Sequence, residues 1–330
     1  MEMATTGQDV PEVQAAAAPR RHERFDRLLV AATACPPLKT AVVHPCDEAA
    51  LEAALEAARL GLIDPVLVGP RARIEAAAKA LGADIGTQRL VDAPHSHAAA
   101  AQAVALAQAG EVEALMKGSL HTDELMGEVV RREGGLRTDR RLSHCFVMDV
   151  PNHAAPLIVT DAAINIAPTL EEKRDIVQNA VDLARALGIA PVRVAIVSAM
   201  ETVTPKVPST LDAAALCKMA DRGQITGALV DGPLALDNAI DLGAARMKRI
   251  ASPVAGRADV LVVPDLEAGN MLAKSLTFLA DADAAGIVLG ARVPIILTSR
   301  ADSRPTRLAS CAIATLFAAA RREARARPEV

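Results

Sequence analysis

The chain has no tryptophan and no tyrosine, and its phenylalanines are only Phe25, Phe146, Phe278 and Phe317. A platform for stacking nucleobases is therefore excluded, and the base of any bound nucleotide must rest on aliphatic side chains or arginine. Positive charge is not in excess either. The 36 Lys and Arg face 40 Asp and Glu, for a formal net charge of −4, so the electrostatic footprint of a nucleic-acid binder is missing. The five cysteines, Cys35, Cys46, Cys145, Cys217 and Cys311, are odd in number and show neither CxxC nor metal-ligand spacing. That argues for reduced thiols and a cytoplasmic setting, with no metal expected. No apolar run approaches the length of a membrane span, and the start of the chain lacks the basic-then-apolar pattern of a secretory signal. Nucleic acid and membrane are thus not expected as partners. H-E-x-x-H, Walker, G-x-S-x-G and strand-borne G-x-G-x-x-G motifs are missing as well.

What is present is globular. Of 330 residues, 51% are hydrophobic and 23% charged, enough for a substantial core and roughly two domains. Residues 1–19 are small, polar or Ala-rich without periodicity and read as a disordered tail. Beyond them short β-branched runs alternate with helical patterns, which predicts a layered, mostly parallel α/β sheet. Thr169-Leu-Glu-Glu172 is a capping box opening a helix that Gly188 stops.

Polar groups follow one strand after another, and in open α/β sheets ligands bind at the strands' carboxyl ends. Val293–Leu297 reads as a buried strand, and a helix starts near Pro305. Between them stand Thr298, Ser299, Arg300, Asp302 and Ser303: a neutral hydroxyl, a forked cation suited to phosphate, and a candidate base. Lys117 and Gly118 close another strand, and Thr122 then opens a helix, an arrangement able to hold an anion on backbone N–H groups and one cation. The basic stretch Arg131–Arg141 offers Arg137 as a lip for a polyphosphate-bearing substrate, set against a merely solvated loop. Asp161, Asn165 and Ser198 also sit at strand ends. Cys145 neighbours His144, but adjacent strand residues point to opposite faces, so a buried structural thiol is the expectation.

In aggregate the chain resembles the phosphate acetyl/butyryltransferase family. The matching pieces are M-K-G-S from Met116, G-L-R-T from Gly135, L-S-H from Leu142, T-D-A-A-I-N-I-A-P from Thr160 and S-A-M-E from Ser198. They continue in order with D-G-P-L-A-L-D-N-A-I from Asp231, K-S-L-T-F-L-A-D-A from Lys274 and L-T-S-R-A-D-S from Leu297. The L-S-H motif adds Ser143 to the substrate-binding candidates, and the last motifs read closer to the butyryl branch. The resemblance implies acyl transfer between coenzyme A and inorganic phosphate, both as substrates, with no permanently bound cofactor. It also implies a two-domain, three-layer α/β/α fold like the isocitrate and isopropylmalate dehydrogenases, and a homodimer. Residues 20–140 with 290–330 would form one discontinuous domain and residues 141–289 the other, with the active-site cleft between them.

By position, Ser299 would donate to the oxyanion forming at the thioester carbonyl, and Arg300 would hold a phosphate. The acetyl branch's thiol-activating Asp falls on Thr306, which leaves Asp302 as a nearer substitute. An Arg of that branch's pocket falls on Thr277. Two other readings stand beside this one. A metal- and nicotinamide-dependent decarboxylating dehydrogenase would use Asp231, Asp237 and Asp241, and a non-catalytic acyl-CoA-binding module would use the cleft alone.

Overall fold

The computed structural model describes residues 23–298 and 302–326. The expected tail, residues 1–19, and the candidates Ser299 and Arg300 lie outside them. The strands are β1 (Leu38–Val43), β2 (Ile63–Gly69), β3 (Arg89–Asp92), β4 (Ala114–Lys117), β5 (Ser143–Asp149), β6 (Leu157–Thr160), β7 (Val192–Val197), β8 (Ala228–Leu234), β9 (Val260–Val262), β10 (Asp283–Leu289) and β11 (Ile295–Ile296). The helices are α1 (Glu23–Thr33), α2 (Glu48–Arg59), α3 (Arg71–Leu81), α4 (Ser96–Gln108), α5 (Thr122–Val129), α6 (Leu170–Ala186), α7 (Pro208–Asp221), α8 (Leu236–Ile240), α9 (Leu242–Met247), α10 (Leu266–Leu279) and α11 (Arg304–Ala326).

All the described strands join one sheet, in the order β3-β2-β1-β4-β11-β10-β5-β6-β9-β7-β8. Helices cover both faces. Phe25 of α1, Leu51 of α2, Val177 of α6, Leu216 of α7 and Ile313 of α11 share one core with Met116, Cys145 and Ile287 of the sheet. On the opposite face, α4 and α5 cover the β1–β4 half, and α8, α9 and α10 cover the β6–β9 half. The layered α/β class expected from the alternation is what forms.

The sheet is parallel within each half but not through its middle. β10 pairs antiparallel with both β11 and β5, and β5 pairs antiparallel with β6. The links from β5 to β6 and from β10 to β11 are too short for a crossover helix, so each strand must turn back on its neighbour. As a result β6, β9, β7 and β8 run opposite to β1, β4 and β11.

The register then offsets the two halves. Met116 pairs with Ile296, Ile296 with Ile287, Ile287 with Cys145, and Cys145 with Thr160. Met116 is one residue from the end of β4, and Thr160 is the last residue of β6. Strands that ascend in one half and descend in the other thus finish at one common row, crossed by β10 and β5.

Some boundaries differ from the sequence pattern for local reasons. β11 is only Ile295–Ile296, because Pro294 cannot donate to a ladder. α10 starts at Leu266, because Asp265 accepts from Ala268 N at 2.9 Å and caps it there.

Cys145 and Cys311 are fully buried in the α11 core, and burial pushes both thiols up to about 12. At pH 8 a thiol reagent should leave these two unmodified in the native protein and label all five cysteines in denaturant. Rapid native labelling of Cys145 would contradict the packing described.

Candidate active site

The common row is where side chains from both halves meet. β4 ends in Lys117, 9% exposed, whose ammonium donates to the carbonyls of Gly118 and Leu120 at 3.3 Å each. Gly118 lies against β1. A Cβ there would stand 2.5 Å from Val43 O and 2.7 Å from His44 O, both backbone atoms, so no side chain fits. Ser119 locks the turn, its hydroxyl donating to His44 O at 2.8 Å. Thr122 then opens α5, whose first turn is held by His121 N donating to Glu124 Oε1 at 3.1 Å.

The end of β11 is fixed differently. Thr298 is buried, and past Ser303 the chain enters α11. Arg304 Nε donates to both carboxylate oxygens of Glu56 at 2.7 and 2.6 Å, and Arg307 donates to Ala49 O at 3.0 Å. β11 and α11, which bracket residues 299–301 in the chain, are thus each held in place, β11 by the sheet and the start of α11 by α2. Thr306 is buried and its hydroxyl is engaged with Ser303 and Asp283. Thr277 turns its hydroxyl back onto Ala273 O within α10.

Asp161 and Asn165 prove to be internal supports. Both are buried. Asp161 accepts from Ala163 N and Ile164 N at 2.9 and 3.0 Å, and from Asn165. Asn165 donates to Leu142 O and accepts from Arg141 Nε at 2.7 Å. Their role is to hold Ala163 and Ile164 at the cleft, not to face it themselves.

Two adjoining cavities result. The smaller, about 430 Å³, is lined by Lys117, Thr122, His144, Phe146, Thr298 and Asp302, among others. The larger, about 920 Å³, lies between α5, the Arg137–Leu142 stretch and the start of α6. Thr122 and Ala163 line both, so the two form one cleft. A small pocket behind Lys117 and Gly118 reaches Thr298 and Arg307.

Four arginines line the larger cavity, and three are already paired. Arg140 meets Asp182, Arg141 meets Glu172 and Arg174 meets Asp175. Among the described residues Arg137 has no acidic partner, which singles it out as the cation available to a ligand anion.

The sequence reading is thus sorted. Lys117, Gly118, Thr122, Arg137 and Asp302 line the cleft or the small pocket behind it, while Ser299 and Arg300 lie outside the described residues. Ser143 is not at the cleft: it shares the opposite face of β5 with Cys145 and accepts from Asn179 of α6 at 2.9 Å. Ser198, the residue after β7, bonds Ser209 of α7 at 2.8 Å, and β7 lies five strands from β11, or roughly 24 Å away. The carboxylates of the dehydrogenase reading do not gather: Asp231 accepts from Gly232 N, Asp237 meets Lys248 and Asp241 caps α9. The sequence reading missed His144, Phe146 and Ala163. Strand alternation carried the signal, since the face of β5 opposite Cys145 is the one that opens on the cleft.

Replacing Asp161 by Ala would leave the backbone N–H groups of Ala163 and Ile164 unpaired, at a cost on the order of 2–4 kcal/mol. Urea unfolding should show that loss, and an unchanged midpoint would rule out the supporting role. Arg137→Gln should leave the midpoint in place and weaken anion binding, read by calorimetric titration with coenzyme A.

The family model described as "Phosphate acetyl/butaryl transferase" matches residues 95–315. A protein named phosphate acetyltransferase from Rhizobium meliloti is 65% identical over 306 residues, which is 93% of this chain and 97% of that one. A phosphate butyryltransferase from Clostridium acetobutylicum is 43% identical over 280 residues, 85% of this chain and 93% of that one. Of these two names, the acetyl one carries the higher identity, although the last motifs read closer to the butyryl branch. The crystal structure of a branched-chain phosphotransacylase from Enterococcus faecalis V583 superposes with a TM-score of 0.73 at 30% identity, covering 85% of this chain and 99% of that one. The chain belongs to the phosphate acetyl/butyryl transferase family and is an acyltransferase.

Proposed function

We propose that the chain transfers a short acyl group reversibly between coenzyme A and inorganic phosphate, by direct attack within a ternary complex. The observation that carries this reading is the single cleft with Lys117 at its narrow end and the unpaired Arg137 beside its wide end. Acyl-CoA is long and anionic at the end remote from its thioester. The wide part suits its nucleotide phosphates, and the lack of an aromatic platform leaves Arg137 and aliphatic side chains to receive them. Phosphate then lies with the thioester at the narrow end.

In the forward direction a phosphate oxygen attacks the thioester carbonyl carbon. The carbonyl oxygen becomes an oxyanion, which the Ser299 hydroxyl stabilises by donating a hydrogen bond. The C–S bond then breaks, and the electron pair leaves on sulfur as coenzyme A thiolate. In reverse, thiolate attacks the acyl phosphate. Lys117 and Arg300 hold the two negative reactants together, and Asp302, on the wall of the narrow cavity, takes the thiol proton in the reverse direction. Both small molecules are substrates, and no bound cofactor enters the scheme.

The same reading divides the chain into residues 20–140 with 290–330 and residues 141–289, which close on each other around the cleft. It pairs two such chains as a homodimer in the cytoplasm.

The test is release of free thiol from acetyl-, propionyl- and butyryl-CoA, with and without phosphate. Phosphate-dependent release is expected. Coenzyme A binding without release would favour a binding module. Ser299→Ala should lower kcat about a hundred- to a thousand-fold with little change in KM, and a near-normal rate would remove Ser299 from the mechanism.

A further inference from the structure

His144 is 1% exposed, yet it lines the narrow cavity beside Lys117, Thr298 and Asp302. Its ring stands edge-on to Phe146, with centroids 4.3 Å apart and planes at 70°, which fixes its tilt. Its register partner on β10 is Val288, and its ring leans diagonally over Gly286, the partner of Phe146. A Cβ at that position would meet His144 Nε2 at 2.9 Å and Leu297 O at 2.8 Å. The imidazole edge therefore occupies the space over β10 where a side chain would stand. It reaches toward Leu297, two residues before Ser299.

Nδ1 of His144 is buried and has no hydrogen-bond partner among the described residues. A buried polar nitrogen left unpaired is costly and is normally tied to backbone or to another side chain. Burial lowers the ring's pKa to about 4, although the nearby Asp161 carboxylate works in the opposite direction. At neutral pH the imidazole therefore carries one N–H and one lone pair and no charge. A neutral donor suits a site whose charge balance is already set by Lys117 and Asp302.

We propose that His144 is a further substrate-contacting residue, donating an imidazole N–H to an oxygen of the phosphate group bound beside Lys117 and Thr298. No proton is transferred in this contact. The identity of the anion rests on the acyltransferase reading, whereas the contact itself does not.

The variants His144→Phe and His144→Gln separate the contact from simple packing. Phe keeps an aromatic ring and removes both nitrogens, and Gln restores one N–H donor on a side chain of similar reach. For the Phe variant, KM for phosphate should rise about ten-fold or more. KM for acyl-CoA and the thermal midpoint should stay close to the parent's. Gln should recover part of the loss.

A second readout uses the unaltered chain with nitrogen-15 in its histidine rings, the His144 signals being assigned by their loss in His144→Gln. Titration with inorganic phosphate should shift them saturably. Unmoved His144 signals at saturating phosphate would overturn the proposal, as would an unchanged phosphate KM in His144→Phe. If His144→Phe does not fold, the Gln variant and the titration decide. Shifting signals in a chain that releases no thiol would keep the contact and reject acyl transfer.

Discussion

The site depends on a reversal of strand direction in the middle of the sheet. Polar side chains after a strand collect into one site only if the strands end at the same level. Here β4 and β11 arrive from one side and β6 from the other, and the register Met116–Ile296–Ile287–Cys145–Thr160 brings them level. β10 and β5 cross that row and continue past it on either side. The strands at the base of the cleft are thereby laddered to one another even where two sets of loops approach each other. A wholly parallel sheet would have placed the Asp161 loop on the same edge as Lys117 but without the opposing wall.

Loops at such a junction need to be held, and the means differ on the two sides. On the β6 side the hold is a carboxylate turned inward, with Asp161 gathering the N–H groups of its own loop. On the β11 side it is an ion pair at a distance, Arg304 on Glu56, which lowers the pKa of the Glu56 carboxyl mainly through the hydrogen bonds from the guanidinium. Arg304 is largely exposed, so this second hold is worth less than its geometry suggests, because solvent screens it. The inward carboxylate is the stiffer of the two.

Much of this was legible in the sequence. Alternating strand and helix patterns gave the layered class, and the polar ends at Lys117, Asp161 and Thr298 pointed to the central row. Two things were not legible. One is strand direction, which is set by the length of connections and by pairing partners distant in the chain. For that reason Ser198, at the end of a correctly read strand, lies far along the sheet from Lys117. The other is the face of the strand. Ser143 and His144 are adjacent and both polar, and only the packing of Cys145 against α11 and α6 decides which of them turns toward the cleft. Because side chains alternate, a buried thiol at position 145 keeps Ser143 on its own face and turns both flanking residues, His144 and Phe146, to the other. Ser143 accordingly bonds Asn179 of α6 on the buried side, while His144 and Phe146 line the narrow cavity. One wall of the narrow cavity thus follows from a packing choice made on the reverse side of the sheet, since a core that takes Cys145 turns the imidazole of His144 into that cavity.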